Sequence, residues 1–127
     1  MKRPATICVF LLMASAFAHA DQAACDRIAE ANSKTGSQGA HMKTVGYEFA
    51  KDTPRLYALG KQTCSYLRDE TVDGQAAAVY QEQYKASTGS TTATIWISKL
   101  SGRLLKEEQD GDITGKGQGH ISYQWPQ

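Results

Sequence analysis

Two histidines beyond the N-terminal segment are the first candidates for catalysis or metal binding. His41 lies near the start of a predicted first strand and His120 at the start of the last one. A catalytic zinc site needs three protein ligands, and an activated nucleophile needs a base that another group orients. The sequence contains no H-x-x-x-H, H-E-x-x-H or G-x-S-x-G pattern. We therefore expect both histidines to face solvent, and we expect neither catalytic residues nor enzymatic activity.

The densest acidic cluster lies in the last quarter of the chain and consists of Glu107, Glu108, Asp110 and Asp112. A pair of carboxylates can act as acid and base or can hold Ca²⁺. Adjacent residues on a strand point to opposite faces, which weakens the case for Glu107 and Glu108 as such a pair. The ligand spacing of an EF-hand is also missing. The cluster predicts no metal site.

A glycine-rich segment follows, with Gly115, Gly117 and Gly119 at alternate positions. Phosphate-binding glycine loops lie between a strand and a helix, whereas a strand-like segment follows here. We interpret residues 110–119 as a flexible loop and expect no cofactor.

Aromatic residues recur on successive predicted strands and are the candidate ligand-binding residues. Tyrosine and tryptophan combine a large apolar body with a polar edge, which suits both a hydrophobic core and a binding surface. Ordinary cross-strand packing therefore stays open as the alternative. The candidates are Tyr80, Tyr84, Trp96, Tyr123 and Trp125.

Hydropathy periods place these residues on an antiparallel sheet that follows one helix. Apolar residues at spacings of three and four predict a helix over 21–34, and Asp73-Gly74 between two alternating runs predicts a hairpin. The predicted fold is α+β, with the N-terminal helix packed on a curved meander of six to seven strands. The predicted strands are 42–50, 56–59, 63–72, 75–84, 92–100, 103–109 and 120–125, with a loop at 86–90.

The first 20 residues have the pattern of a cleavable export signal. Lys2 and Arg3 precede an apolar run over 7–17, and Ala18-His19-Ala20 resembles a cleavage site. We expect a single domain over residues 21–127, exported to the periplasm and not transmembrane. Without the first 20 residues, 12 basic side chains stand against 13 acidic ones, a net charge of −1. This charge does not favour binding to nucleic acid.

Two cysteines, Cys25 and Cys64, remain after the predicted cleavage. An even pair in an oxidising compartment favours a disulfide. Small residues before Cys25 also allow the alternative, lipidation of its thiol, although the polar Asp21 and Gln22 are unlike a lipoprotein signal.

The second half of the chain resembles the LolA/LppX-like superfamily of exported proteins. The resemblance covers residues 64–125 and rests on the hairpin sequence at 69–80, the W-I-S-K-L-S-G-R-L-L-K-E-E sequence at 96–108 and the terminal S-Y-Q-W at 122–125. Larger members of that superfamily are half-open β-barrels closed by helices, and they carry lipids or lipoproteins in an apolar cavity. The resemblance implies a curved sheet with a helix on its concave side.

Together these features predict a non-enzymatic exported protein that binds an apolar or amphipathic ligand, or an envelope component, on its sheet face. The alternative is a periplasmic protein-binding module such as an enzyme inhibitor or immunity protein, because aromatic residues also anchor protein interfaces. An exposed edge strand could pair with another chain, which leaves the oligomeric state open.

Overall fold

A computed structural model describes residues 22–36, 40–45, 54 and 57–126 of the chain. The predicted signal segment at 1–20 and its cleavage site lie outside these residues. Helix α1 spans residues 22–35, and a short helical turn spans 57–59. The six strands are β1 (His41–Val45), β2 (Lys61–Val72), β3 (Gln75–Ala86), β4 (Gly89–Ser98), β5 (Leu104–Ile113) and β6 (Gly117–Gln124).

The strands form one open antiparallel sheet in the order β1-β6-β5-β4-β3-β2. Strands β2 to β6 follow one another as a meander, and β1 pairs with β6. The predicted α+β fold, with one helix packed on a curved, six-stranded antiparallel sheet, is confirmed.

The predicted hairpin between β2 and β3 is confirmed. Asp73 and Gly74 have φ values of 50° and 79°, and both lie in the left-handed region. A two-residue turn with two positive φ angles matches the right-handed twist of its flanking strands, which is why Asp-Gly favours it. The turn sets the register as far as the Arg68–Val79 pair, and a bulge at Leu67 then pairs Tyr66 with Tyr80.

Three predicted segments differ from the structure in type or in length. The predicted strand at 56–59 contains a helical turn at 57–59, because a short apolar run does not distinguish the two structures. The predicted loop at 86–90 shrinks to two residues, since Ala86 already pairs with Gly89. Most of the predicted loop at 110–119 is β-ladder, because neighbouring strands supply hydrogen-bond partners even to glycine. Of the predicted strand 42–50, residues 46–50 lie outside the described part.

The main hydrophobic core lies between α1 and one face of the sheet, called here the helix face. Helix residues Ala24, Ile28 and Ala31 are buried. They form one cluster with side chains of the sheet that include Cys64, Ala93, Ile95, Ile97, Leu104 and Trp125. The other side of the sheet, called here the opposite face, carries a second cluster of Val72, Ala77, Val79, Trp96 and Leu105. The predicted alternation of β4, with Ile95 and Ile97 on one face and Trp96 on the other, is confirmed.

A β-bulge between β4 and β5 sets which β5 residues lie on the helix face. Trp96 pairs with Lys106, whereas Ile97 pairs with Leu104, so Leu105 is an extra residue in β5. Beyond the bulge, Glu107 is opposite Ile95. Glu107 therefore lies on the helix face.

The predicted disulfide is present and joins Cys25 of α1 to Cys64 of β2. It ties the helix to the edge strand β2, next to the main core. The bond occupies the thiol that lipidation of Cys25 would need.

No helix in the described ranges is long and apolar enough to cross a membrane.

Reduction of the disulfide is expected to lower the free energy of unfolding by about 4 kcal/mol, because the unfolded chain regains the conformational freedom of the loop it closes. The two cysteines are 39 residues apart in the sequence. Urea unfolding followed by circular dichroism, with and without reductant, measures the difference.

The Cys25→Ser, Cys64→Ser double variant is the control for this experiment. It should unfold like the reduced protein and should not respond to reductant. An oxidised protein whose unfolding midpoint is unchanged by reductant would show that the bond does not stabilise the fold.

Candidate functional site

The candidate site is a pocket on the helix face, called here the central pocket. Its volume is about 430 Å³. Asn32 and Gly36 at the end of α1 form one side, and Tyr57 in the helical turn forms another. The sheet supplies the remaining lining, which is Glu82, Tyr84, Glu107, Gln109, Tyr123 and Trp125.

Two pairs of aromatic rings form the walls of the central pocket. The ring centroids of Tyr57 and Tyr84 are 4.7 Å apart, with the rings edge to face. Tyr123 stacks on Trp125 with centroids 5.8 Å apart. The indole Nε1 of Trp125 donates a hydrogen bond to the Gly36 carbonyl at 3.2 Å, which fixes the ring against the end of α1. Both pairs present an apolar surface with polar edges.

Polar side chains from β3 and β5 lie between these walls. The Tyr57 hydroxyl donates a hydrogen bond to Gln109 Oε1 at 2.6 Å. Gln109 Nε2 in turn donates a hydrogen bond to Glu107 Oε2. On the other side of β4, Gln62 Nε2 donates to Glu82 Oε2 at 2.6 Å. Both glutamates are buried, so each carboxyl is held by a side-chain amide rather than by bulk water.

Burial dominates the electrostatics of the central pocket. It raises the pKa of Glu107 to about 7, the charge of Glu82 adds to this rise, and the hydrogen bond from Gln109 opposes it. Burial likewise raises the pKa of Glu82. It also raises the pKa of Tyr84 to about 12 and raises the pKa values of Tyr57 and Tyr123. The tyrosines are therefore neutral near pH 7, where Glu107 can gain or lose a proton or pair with a cation.

The structure brings three of the five candidate ligand-binding residues together in the central pocket, namely Tyr84, Tyr123 and Trp125. Tyr80 lies on the same face but packs against the main core and against Tyr66, with ring centroids 5.6 Å apart. Trp96 lies on the opposite face.

The environment of Trp96 explains why it does not reach the central pocket. Its indole Nε1 donates to Glu70 Oε1 at 3.1 Å, and the Lys106 ammonium lies 4.4 Å from its ring centroid. The ring is held on the opposite face by a hydrogen bond at its edge and a cation–π contact on its surface.

Sequence reasoning missed six lining residues, which are Asn32, Gly36, Tyr57, Glu82, Glu107 and Gln109. A signal for Glu82 is present, since Tyr80, Glu82 and Tyr84 alternate in phase on β3. Tyr57 was missed because its segment was predicted to be a strand. Glu107 and Gln109 reach the pocket only through the bulge at Leu105.

The acidic residues on the opposite face of β5 surround His120, contrary to the expectation of a histidine that simply faces solvent. His120 Nδ1 is 2.7 Å from Asp110 Oδ1, and its Nε2 is 3.1 Å from Glu108 Oε2. Ser122 Oγ lies 3.5 Å from His120 Nε2 and donates a hydrogen bond to Glu108. This is a polar cross-strand cluster between β5 and β6.

The cluster contains serine, histidine and aspartate, but its hydrogen bonds do not join the serine to the histidine as a nucleophile to its base. The hydrogen bond to Asp110 raises the pKa of His120, and the charge of Glu108 adds to the rise. Ser122 donates its one hydroxyl proton to Glu108, so in this arrangement the proton is not directed at His120 Nε2, 3.5 Å away. In the described ranges, no three His, Cys, Asp or Glu side chains are placed to hold a metal ion.

The free energy of unfolding is expected to fall as the pH rises from about 4.5 to about 7. In this window the folded protein keeps the proton on Glu107, whose pKa is raised from 4.5 to about 7, while the unfolded chain releases it. At 1.36 kcal/mol for each pKa unit, the loss attributable to Glu107 is at most about 3 kcal/mol. Urea unfolding at a series of pH values measures it.

The Glu107→Gln variant should lose this part of the slope and keep the part that comes from Glu82. Glu30→Gln is a matched control, because Glu30 is exposed on α1 and pairs only with Lys34 within the described structure. Equal slopes in the Glu107→Gln variant and the wild type would contradict the buried state of this carboxyl.

The pKa of His120 is expected to lie above its ordinary value of 6.5 and to fall towards it in the Asp110→Asn variant, because Asp110 is the main cause of the rise. Titration of the imidazole resonances by NMR measures both values. A His120 titration that is unchanged in the variant would contradict the assignment.

Comparison with protein-family models, with curated proteins and with solved structures finds no match to this chain. The resemblance to the LolA/LppX-like superfamily therefore stays a prediction from the motifs at 64–125, and function has to be argued from the geometry of the chain itself.

Proposed function

We propose that this chain is a non-enzymatic exported protein that binds a small amphipathic ligand in the central pocket. The observation that carries the proposal is a pocket with two aromatic walls and a few fixed polar groups between them. Sites for small molecules are concave, mostly apolar or aromatic, and carry a few placed polar groups that orient the ligand. The central pocket has each of these properties.

The volume of the pocket limits the size of its ligand. At about 430 Å³ it lies near the lower end of the range of about 300–1,000 Å³ that small-molecule sites occupy. It has room for one small molecule or for part of a single acyl chain. A carrier of multi-chain lipids would need a larger apolar cavity.

Export to the periplasm is part of the same proposal. It is supported by the sequence pattern of residues 1–20 and by the Cys25–Cys64 disulfide, a bond that persists in oxidising compartments. The ligand would then be a molecule of the envelope or of the surrounding medium.

Binding of N-phenyl-1-naphthylamine, an uncharged aromatic probe, tests the proposal. The chain has two tryptophans, so the Trp96→Phe variant retains only Trp125, which lines the pocket. Saturable binding should change the Trp125 emission of this variant. The Trp125→Phe variant, which loses the indole of one pocket wall, should bind the probe more weakly than the Trp96→Phe variant.

A second pair of variants locates the binding site. Asn32 lines the pocket from an exposed position of α1, whereas the neighbouring Ser33 is exposed outside the lining. The Asn32→Phe variant should weaken probe binding at least threefold by filling the pocket mouth, and Ser33→Phe should leave it unchanged. Equal affinity in both variants, or no binding at all, would overturn the ligand site in favour of a protein-binding module.

A further inference from the structure

Two buried carboxyl groups in the central pocket have unused hydrogen-bonding capacity. The side chains of Glu82 and Glu107 are only 8% and 9% exposed. Glu82 Oε2 accepts hydrogen bonds from Gln62 and, at 3.4 Å, from the Tyr84 hydroxyl, while Glu107 Oε2 accepts one from Gln109. No hydrogen bond from the described part of the chain reaches Oε1 of either carboxyl. Buried polar atoms normally have partners, so these two oxygens indicate a missing donor.

Within the described part of the chain, no positive charge balances these carboxyls. The described residues that line the pocket include no lysine, arginine or histidine. Three described basic side chains pair with other carboxylates, Lys34 with Glu30, Arg68 with Glu70 and Lys99 with Asp69. Burying a carboxylate without a counter-charge is costly, and a cation supplied by the ligand would remove that cost.

The aromatic walls favour a cation as well. Tyr57 and Tyr84 lie on one side of the pocket, and Tyr123 and Trp125 on the other. The face of an aromatic ring carries negative electrostatic potential and attracts organic cations such as ammonium groups. The same rings pack against the apolar part of an amphipathic molecule, so one ligand can satisfy both halves of the site.

We propose that the ligand is an organic cation, an amphipathic amine or quaternary ammonium compound whose charged group binds Glu107 and Glu82 between the aromatic walls. This inference rests on the proposed function and specifies its ligand class. An anionic amphipath such as a fatty acid would meet two carboxyls and is disfavoured. A hydroxyl-rich neutral ligand would satisfy the open oxygens without supplying charge, and the experiment separates it from a cation.

Calorimetric titration with three eight-carbon ligands tests the charge preference. The probes are octylammonium, octan-1-ol and octanoate, used at pH 8, which is above the raised pKa of Glu107 of about 7. Octylammonium remains protonated there, since alkylammonium groups titrate near pH 10. We expect it to bind the wild-type protein at least tenfold more tightly than octan-1-ol, and octanoate to bind most weakly.

Two adjacent glutamates on opposite faces of β5 provide matched variants. Glu107→Gln should reduce the preference for octylammonium over octan-1-ol to less than about threefold, because one charge is lost while the shape of the side chain is kept. It should weaken octylammonium binding much more than octan-1-ol binding, and an unchanged circular dichroism spectrum should show that the fold is intact. Glu108→Gln removes a charge from the opposite face and should preserve the full preference.

The pH dependence gives an independent readout. Lowering the pH from 8 to 5.5 should weaken octylammonium binding to the wild type and have a smaller effect on the Glu107→Gln variant, in which Glu82, whose pKa is also raised, still titrates. Among the described residues Glu82 is the other acidic group facing Glu107, and the tyrosines Tyr57, Tyr84 and Tyr123 stay neutral across this range. The Glu82→Gln variant should therefore lower the octylammonium affinity at pH 8 without removing its pH dependence.

The outcomes distinguish failure of the ligand class from failure of the proposed function. If octan-1-ol binds as tightly as octylammonium, or if Glu107→Gln retains the tenfold preference, the cation assignment is overturned and a neutral ligand remains. If none of the three ligands binds and N-phenyl-1-naphthylamine does not bind either, the proposed function itself fails.

Discussion

The packing of one helix on a wider sheet is the constraint on which the rest of this structure depends. Helix α1 buries Ala24, Ile28 and Ala31 against the sheet, and the Cys25–Cys64 bond holds it beside the edge strand. Fourteen helical residues cannot cover one face of six strands. The uncovered part of the sheet begins where α1 ends, at Gly36, and the central pocket lies there. A hydrogen bond from Trp125 to the Gly36 carbonyl holds one wall of the pocket against the end of the helix.

The two faces of the sheet carry acidic groups in different surroundings. On the opposite face, Glu108 and Asp110 are balanced by His120, and Glu70 is balanced by Arg68. On the helix face, Glu82 and Glu107 have only amide and hydroxyl donors within the described structure. Partly exposed ion pairs add little stability because water screens them. Buried carboxyls without a counter-charge reduce stability, and sites of this kind are often functional.

The sequence predicted those parts of the fold that local chemistry determines. Asp73-Gly74 specified the first hairpin, the alternation of β4 separated Ile95 from Trp96, and the cysteine pair predicted the disulfide. Local sequence patterns did not predict the segments whose structure depends on pairing with neighbouring strands. Gly111 lies in the ladder because β4 and β6 flank it, although glycine disfavours strands. The aromatic pattern identified three residues of the candidate site, whereas the position of Glu107 depends on a bulge that no local pattern indicated.

The bulge at Leu105 decides which side chains of β5 face the central pocket. If Leu105 paired with Trp96 in a regular ladder, Lys106 would lie opposite Ile95 and Glu107 would turn to the other side of the sheet. Deletion of Leu105 would instead keep Lys106 opposite Trp96 and Glu107 opposite Ile95, because the deleted residue is the one that has no partner in β4. The extra residue thus lets two consecutive residues of β5, Leu105 and Lys106, contact the opposite face while every residue beyond them keeps the face that a regular strand would give it.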